Sequence, residues 1–252
     1  PAEHAGPINH VLPAWDVCCG LYAALAVVTA VRRRDQCGAG ARITLALEDV
    51  ALATAGNLGL LTEPQVTGTQ RERLGNAIYG QYGQDFTSRD GATFMVVTLT
   101  GRHFRDLVAV TGTGDAVAAL AGALGVDFAD EGDRYRYRDV LSGLFAVWFA
   151  EHTADEITAA LADTTVLVER YRTFAQAAAS PKVTANPLFS RLDQPGVGQY
   201  LAPGLPAAFD GTHPAGAPAP ALGQDTAAVL AERLGLSAAD IDRLADANTI
   251  AR

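Results

Sequence analysis

Lysine is nearly absent from this chain. Of 19 basic side chains only Lys182 is a lysine, the rest are arginines, and 28 acidic residues bring the formal net charge to −9. A protein that binds nucleic acid needs a basic face, so this composition argues against a nucleic-acid partner. Aromatic residues are also few, at 7%, while alanine and glycine are common. Such a composition favours helices that pack on a sheet through small side chains.

The chain also lacks an apolar run of membrane-spanning length. The longest apolar stretch is residues 17–31, whereas a spanning helix needs about 20 residues. The basic residues Arg32, Arg33 and Arg34 follow this stretch, while a secretory signal carries its positive charge in front. We therefore expect a buried core helix and no association with a membrane.

Motifs for metals, phosphates and disulfides are missing as well. The three cysteines, Cys18, Cys19 and Cys37, form no Cys-x-x-Cys pair, which favours free thiols in a reducing cytoplasm. The five histidines are scattered singly, so no metal site is expected. The sequence contains no phosphate-binding loop, no Gly-x-Ser-x-Gly elbow and no His-Glu-x-x-His. General motifs therefore lead no further than an α/β protein.

Helix and strand patterns divide the chain into three segments. In the first, Asp16 stands at an N-cap position before a helix over 17–34, followed by a strand over 42–47 and a helix over 48–58. Residues 62–83 are rich in Gly, Gln and Thr and predict a linker with a mobile loop.

A compact α+β segment is predicted next. A strand over 94–99 precedes helices over 101–111, 115–124 and 137–151, and Thr153 with Glu156 forms a capping box. Beyond residue 180, prolines predict an extended crossing segment that ends in two short helices over 226–234 and 238–247.

Three groups of residues, 16–24 with 34–45, 186–189, and 217–237, occur in an order that resembles the family III CoA-transferases, the CaiB/BaiF-like superfamily of formyl-CoA transferases and α-methylacyl-CoA racemases. Residues 16–24 (DVCCGLYAA) and 34–45 match a family pattern of an Asp, a small-residue helix ending in Arg, a glycine turn and a strand. Residues 186–189 and 217–237 match its closing segments. The chain departs from the pattern at Cys37, where the family has Thr, and at Ala41, where it has Gln.

A narrower similarity concerns one branch of that family, the 2-methylfumaryl-CoA isomerases, which are also mesaconyl-CoA C1–C4 CoA transferases. Residues 10–16 (HVLPAWD) and 75–86, with Asp90 and Gly91 after them, resemble that branch. The resemblance implies CoA transfer within one 2-methylfumaryl-CoA molecule through an aspartyl anhydride and an aspartyl-CoA thioester.

The resemblance implies an α/β fold and an interlocked homodimer. Residues 1–75 would be part of a Rossmann-like large domain, present here only in its later part, 76–180 a small α+β domain, and 181–252 a proline-rich return to the large domain. Family members are longer and hold most CoA contacts in an N-terminal segment that this chain lacks. A separate or missing N-terminal half is therefore an expected partner.

Residue roles follow from the same resemblance. Asp16 would be the nucleophile, a role compatible with an N-cap. Leu47 and Arg34 would bind CoA. The alternative for Leu47 is a buried leucine of a strand, and the alternative for Arg34 is an exposed arginine at a helix end, neither with a role in binding. His10 would meet the free carboxylate of the substrate. A closing flap would include Gly75, Tyr79, Gly80, Tyr82 and Gly83, with an ordinary linker as the alternative.

Coenzyme A enters this scheme as a substrate, with no permanently bound cofactor and no metal. Three alternatives stay open at this point. One is an intermolecular CoA transferase, and another is a racemase-type enzyme whose histidine would precede residue 1. The third belongs to another class, a non-catalytic C-terminal assembly subunit.

Overall fold

The structure is a computed structural model that describes residues 12–251. The chain divides into two compact units, Pro1–Gly75 and Asn76–Arg252. The first contains helices only, in the part that is described. The second contains all five described strands.

Three helices make up the described part of the first unit: α1 (Ala14–Cys37), α2 (Leu47–Asn57) and α3 (Thr62–Thr67). The long α1 follows from an uninterrupted run of helix formers, and it ends at Gly38, whose positive φ of 72° closes the helix by donating its N–H to the Arg34 carbonyl. Helices α1 and α2 contact each other. The prediction of helices at 17–34 and 48–58 is confirmed to within a few residues.

The strand predicted over 42–47 was wrong. Residues 39–46 are irregular, and Ala46 has extended backbone angles that lead directly into α2. A strand exists only where another strand accepts its hydrogen bonds, and none in the described part of the first unit does so. Apolar composition alone was therefore not sufficient to predict a strand over residues 42–47.

The second unit is organised around a three-stranded antiparallel sheet of β1 (Tyr82–Thr87), β2 (Thr93–Thr98) and β3 (Leu167–Arg170). Phe86 pairs with Phe94, and Phe94 pairs with Arg170. Alternate residues of β2 are buried, as expected for a sheet with one covered face. Sequence analysis predicted β2 and missed β1 and β3, which are short and rich in polar residues.

Five helices lie between β2 and β3: α4 (Gly101–Val110), α5 (Gly114–Leu124), α6 (Glu131–Arg136), α7 (Arg138–Glu151) and α8 (Ala154–Leu161). Helix α7 packs on β1 and α4 on β2. The core between helices and sheet is aromatic, and the Phe86 and Phe149 rings stack with centroids 4.5 Å apart. Four of these helices, including α8 with its Thr153–Glu156 capping box, were predicted.

The remaining elements are α9 (Phe174–Ala178), α10 (Pro181–Thr184), the hairpin of β4 (Phe189–Gln194) and β5 (Gly198–Pro203), α11 (Thr226–Leu234) and α12 (Ala238–Asp246). The hairpin corrects the prediction of a purely extended segment. Pro195 lies in its turn and Pro203 at its end, so neither proline removes a hydrogen bond from the middle of the ladder. The two C-terminal helices are confirmed.

Candidate active site

Asp16 lies in the first turn of α1, where the side chain is exposed. Helix α1 begins three residues earlier than predicted, and Pro13 holds the N-cap position without a side-chain cap, so the N-cap assignment of Asp16 was wrong. Carboxylates are favoured in the first turn because the helix dipole and the unpaired N–H groups there are positive. This position leaves the carboxylate accessible, as a nucleophile requires.

Arg34 occupies the opposite end of the same helix. Eighteen residues separate it from Asp16, a distance of roughly 27 Å at 1.5 Å per residue. Its guanidinium forms an exposed ion pair with Asp35, with Nη2 and Oδ1 2.8 Å apart. The structure therefore does not bring Arg34 to the atoms that Asp16 would attack, and any contact with CoA would be with a distant part of that molecule.

Leu47 is the first residue of α2 rather than a strand residue, and its side chain is 44% exposed. The reading as a buried strand leucine was wrong, because the strand does not form. An exposed leucine at a helix start is free to contact a ligand, and its CoA contact stays a prediction. His10 lies outside the described residues.

The predicted flap is anchored to the second unit over much of its length. The Tyr79 ring packs edge-to-face on Tyr135 of α6, with centroids 5.5 Å apart. Gln81 donates a 3.0 Å hydrogen bond from Nε2 to the Glu131 carboxylate, and the Ile78 N–H donates to the Gly83 carbonyl at 3.2 Å. Residues 76–81 thus form turns that rest on α6 and β1.

Tyr82 and Gly83 do not belong to a flap. Both are buried residues of β1, and the Tyr82 ring is fully buried between Phe104 and Phe145. Burial raises the pKa of the Tyr82 phenol, and the hydrogen bond with Ser142, 3.0 Å long, only partly opposes this. A cooperative sheet cannot release these two residues without opening, so a flap could include residues 75–81 at most.

Gly75 and Gly80 retain features expected of hinge positions. Their φ angles are +59° and +74°, in the left-handed region that other residues rarely adopt. Both lie outside regular elements. The alternative that this segment is an ordinary linker between the two units stays open.

Sequence analysis missed two concave sites in the second unit. A groove of about 670 Å³ lies between α4, α5 and residues 127–129. A smaller pocket of about 340 Å³ lies at the end of β3, where Arg170 and Arg172 contribute to its wall. The second has no distinctive sequence signal, since the Arg-x-Arg spacing of Arg170 and Arg172 also occurs at residues 71–73 and 134–138.

Among residues 12–251, no group of three His, Cys, Asp or Glu side chains is arranged to hold a metal ion. The three cysteines are free thiols.

A family model described as CoA-transferase family III matches residues 2–226. The chain belongs to CoA-transferase family III. The model covers most of the chain and includes α1 with Asp16 as well as the whole three-stranded sheet. The resemblance noted from residues 16–45 is therefore confirmed at the level of the family.

Characterised relatives of this family III chain come from Chloroflexus aurantiacus. A 2-methylfumaryl-CoA isomerase is 40% identical over 254 aligned residues, which cover 100% of this chain and 62% of the relative. A succinyl-CoA–D-citramalate CoA-transferase is 25% identical and covers 91% of this chain and 56% of the relative. The chain thus spans less than two thirds of the length of either protein.

Solved structures show the same fold. A CaiB/BaiF family protein from Brucella suis has a TM-score of 0.65 and 26% identity, covering 90% of this chain and 57% of that chain. A mutant of a Mycobacterium tuberculosis protein, Rv3272, has a TM-score of 0.71 and 20% identity, covering 92% and 58%. The mixed helix-and-sheet fold of the CaiB/BaiF proteins is therefore the fold of this family III chain.

Helix α1 of this family III chain exposes a large apolar surface. None of its residues is buried, although it is the one helix within residues 12–251 that is long and apolar enough, by length and composition, to cross a membrane. The prediction of a buried helix is not met, because the described residues do not cover it. A helix that is apolar all round needs a cover, from protein or from lipid.

Proposed function

We propose that this chain carries the nucleophile of a CoA transferase that moves CoA between the two carboxylates of 2-methylfumaryl-CoA. The observation that carries the proposal is the 40% identity to a 2-methylfumaryl-CoA isomerase over the full chain. The position of Asp16, exposed in the first turn of α1, supports its role as the attacking carboxylate.

The reaction begins when an Asp16 carboxylate oxygen attacks the thioester carbonyl at C1 of the substrate. The C–S bond breaks, CoA leaves as the thiolate, and an aspartyl–acyl anhydride forms. The thiolate then attacks the aspartyl carbonyl, which gives an aspartyl-CoA thioester and frees the C1 carboxylate. No proton is consumed in either step.

The second half repeats these steps at the other end of the acid. The C4 carboxylate attacks the aspartyl-CoA carbonyl, the thiolate leaves again, and it then attacks the C4 carbonyl of the new anhydride. Asp16 is regenerated and CoA is attached at C4. Because the acid must stay bound between the halves, we infer that residues 75–81 close over it, with Gly75 and Gly80 as hinges. His10 would bind the free carboxylate, and Leu47 and Arg34 would bind CoA.

Replacement of Asp16 tests the chemistry. In Asp16→Asn the carboxylate is lost with almost no change in size, and we expect CoA transfer to fall by at least a thousandfold with unchanged circular dichroism. Hydroxylamine added during turnover of the wild-type protein should convert Asp16 to a hydroxamate, located by peptide mass. Asp115→Asn, also exposed in the first turn of a helix, is the matched control. Full activity of Asp16→Asn would refute the assignment of Asp16 as the nucleophile.

Intermolecular transfer is the second candidate, and the 25% identity to a succinyl-CoA–D-citramalate CoA-transferase favours it. Intramolecular and intermolecular transfer are distinguished by incubating the protein with unlabelled 2-methylfumaryl-CoA and ¹³C-labelled free 2-methylfumarate. Intramolecular transfer leaves the CoA ester unlabelled, whereas intermolecular transfer puts label into it. Uptake of α-deuterium by a 2-methylacyl-CoA in deuterated water would point to the racemase-type alternative.

We also propose a cytoplasmic homodimer in which protein covers α1. The free thiols and the family support this proposal. Acyl-CoA is its substrate, and coenzyme A is the group that is transferred.

A further inference from the structure

The pocket at the end of β3 lies entirely within the second unit. It is lined on one side by Gly91 and Thr93, where β2 begins, and on the other by Arg170, Arg172 and Gln176. The backbone there is fixed, because the Tyr171 N–H donates to the Thr93 carbonyl at 2.8 Å and so extends the pairing of β2 with β3. The main chain that carries the two arginines is therefore fixed at the edge of the sheet.

Arg170 has an unusual environment for a half-buried arginine. Within residues 12–251 its guanidinium has no hydrogen bond and no carboxylate within ion-pair distance, although the chain has an excess of acidic residues. The carboxylate that Arg170 influences is Asp90, but Asp90 Oδ1 already accepts the Ser88 hydroxyl at 2.6 Å and the Ala154 N–H at 3.0 Å. Asp90 Oδ1 is thus held by Ser88 and the α8 N-terminus, and no hydrogen bond or ion pair joins the Asp90 carboxylate to Arg170 in the part of the chain that the structure describes.

The surrounding charge is positive in sum. Glu169 binds both Arg172 and Lys182, so one carboxylate is shared by two cations. Arg170, Arg172 and Lys182 carry three positive charges against the two negative charges of Glu169 and Asp90, which leaves a net charge of +1 for this group. An arginine with free N–H donors in a pocket next to a second arginine is suited to an oxyanion, which accepts the planar fork of the guanidinium.

We propose that this pocket is an oxyanion-binding site in which Arg170 is the principal ligand and Arg172 assists. The oxyanion chemistry is common to a phosphate of CoA and to a carboxylate of a dicarboxylic acid, and the assignment to an acyl-CoA rests on the proposed function. Cavity size permits either group, because about 340 Å³ accommodates more than one phosphate.

The test is calorimetric titration of the full 252-residue chain with adenosine 3′,5′-bisphosphate in one arm and 2-methylfumarate in the other. We expect at least one probe to bind, and Arg170→Gln to raise its Kd at least tenfold. Arg170→Lys, which keeps the charge but loses the fork, should give an intermediate Kd. Arg191→Gln, an exposed arginine of β4 outside the pocket, is the matched control and should leave the Kd unchanged.

A second variant changes affinity in the opposite direction. Glu169→Gln removes the carboxylate that binds Arg172 and Lys182, so we expect binding of the same probe to become several-fold tighter. Binding of neither probe, or a Kd that is the same in Arg170→Gln and wild type, overturns the proposal. Asp16→Asn should bind the probe normally, so a failed nucleophile assignment and a failed oxyanion site give different results.

Discussion

At the scale of single residues, the second unit depends on polar groups buried among aromatic rings. Arg134 is 1% exposed, and its guanidinium donates 2.8 Å hydrogen bonds to the carbonyls of Phe128 and Ala129. It also lies over the Phe104 ring, 5.4 Å from the centroid. Desolvation lowers the pKa of this arginine, while Glu131, Asp130 and Asp127 nearby oppose the effect. Such a group specifies one arrangement of residues 127–134.

Arg134→Met should therefore destabilise the second unit. The substitution preserves much of the side-chain volume but leaves two buried carbonyls without donors. Each unsatisfied carbonyl lowers the free energy of unfolding by up to about 3 kcal/mol. Urea unfolding should show a free energy of unfolding lower by at least about 1 kcal/mol. The same substitution at exposed Arg191 should change it by less than about 0.5 kcal/mol. Equal effects at the two sites would contradict this role.

Tyr82 gives a prediction about alkaline pH. Burial raises its pKa in the folded protein above the ordinary value of 10.0, so the unfolded chain loses this proton first. The stabilisation is complete below pH 10.0 and is lost as pH rises towards the folded-state pKa. Tyr82→Phe should flatten the fall in unfolding free energy between about pH 9 and 11, at a cost of about 1 kcal/mol at neutral pH. Tyr200→Phe, on the exposed hairpin, should leave the alkaline slope unchanged.

At the scale of elements, capping explains which helices the sequence predicts. Thr153 and Glu156 hold the start of α8 through reciprocal hydrogen bonds, and the Glu156 carboxylate accepts the Thr153 N–H at 2.8 Å. The local signal Thr-x-x-Glu is sufficient to predict the start of α8 because both partners lie within one turn. By contrast, β1, β3 and the hairpin depend on partners distant in sequence, and residues 42–47 show that apolar composition without a partner forms no strand.

Acid should weaken α8 through Glu156. The Thr153 N–H and hydroxyl, followed by Arg89, lower the pKa of Glu156 from its ordinary 4.5. Its stabilisation is therefore present above pH 4.5 and is lost as pH falls towards the folded-state pKa. Glu156→Gln should reduce this acid-dependent loss, measured by thermal unfolding from pH 5 to 2.5. Glu232→Gln, in α11, is the control, and a similar change in both variants would rule out a specific effect of the cap.

At the scale of the whole molecule, the first unit exposes more apolar surface than a stable helical segment leaves to water. Helix α1 alone exposes Leu21, Leu25 and Val28 to more than 60%. The chain also spans only 62% of the length of its 40%-identical relative. We interpret this surface as an interface with a second copy of the chain.

Substitution on α1 tests that interpretation. Light scattering coupled to gel filtration should give a mass near twice 26.3 kDa at micromolar concentration. Val28→Asp, at a position 65% exposed, should halve the mass, because a buried charge disfavours the interface. Val197→Asp, 75% exposed in the hairpin turn, should not. A monomer at every concentration for the wild-type chain would contradict the homodimer.

The sequence by itself determined the family, the helices α4, α5, α7 and α8 and the position of Asp16 near a helix start, because each depends on motifs or patterns of residues close together in the chain. Tertiary structure alone decided that Tyr82 and Gly83 are core residues rather than flap, that residues 42–47 form no strand, and that Arg170 and Arg172 share a pocket. Those outcomes depend on pairing and packing between segments far apart in sequence. Local propensity contains no information about such partners.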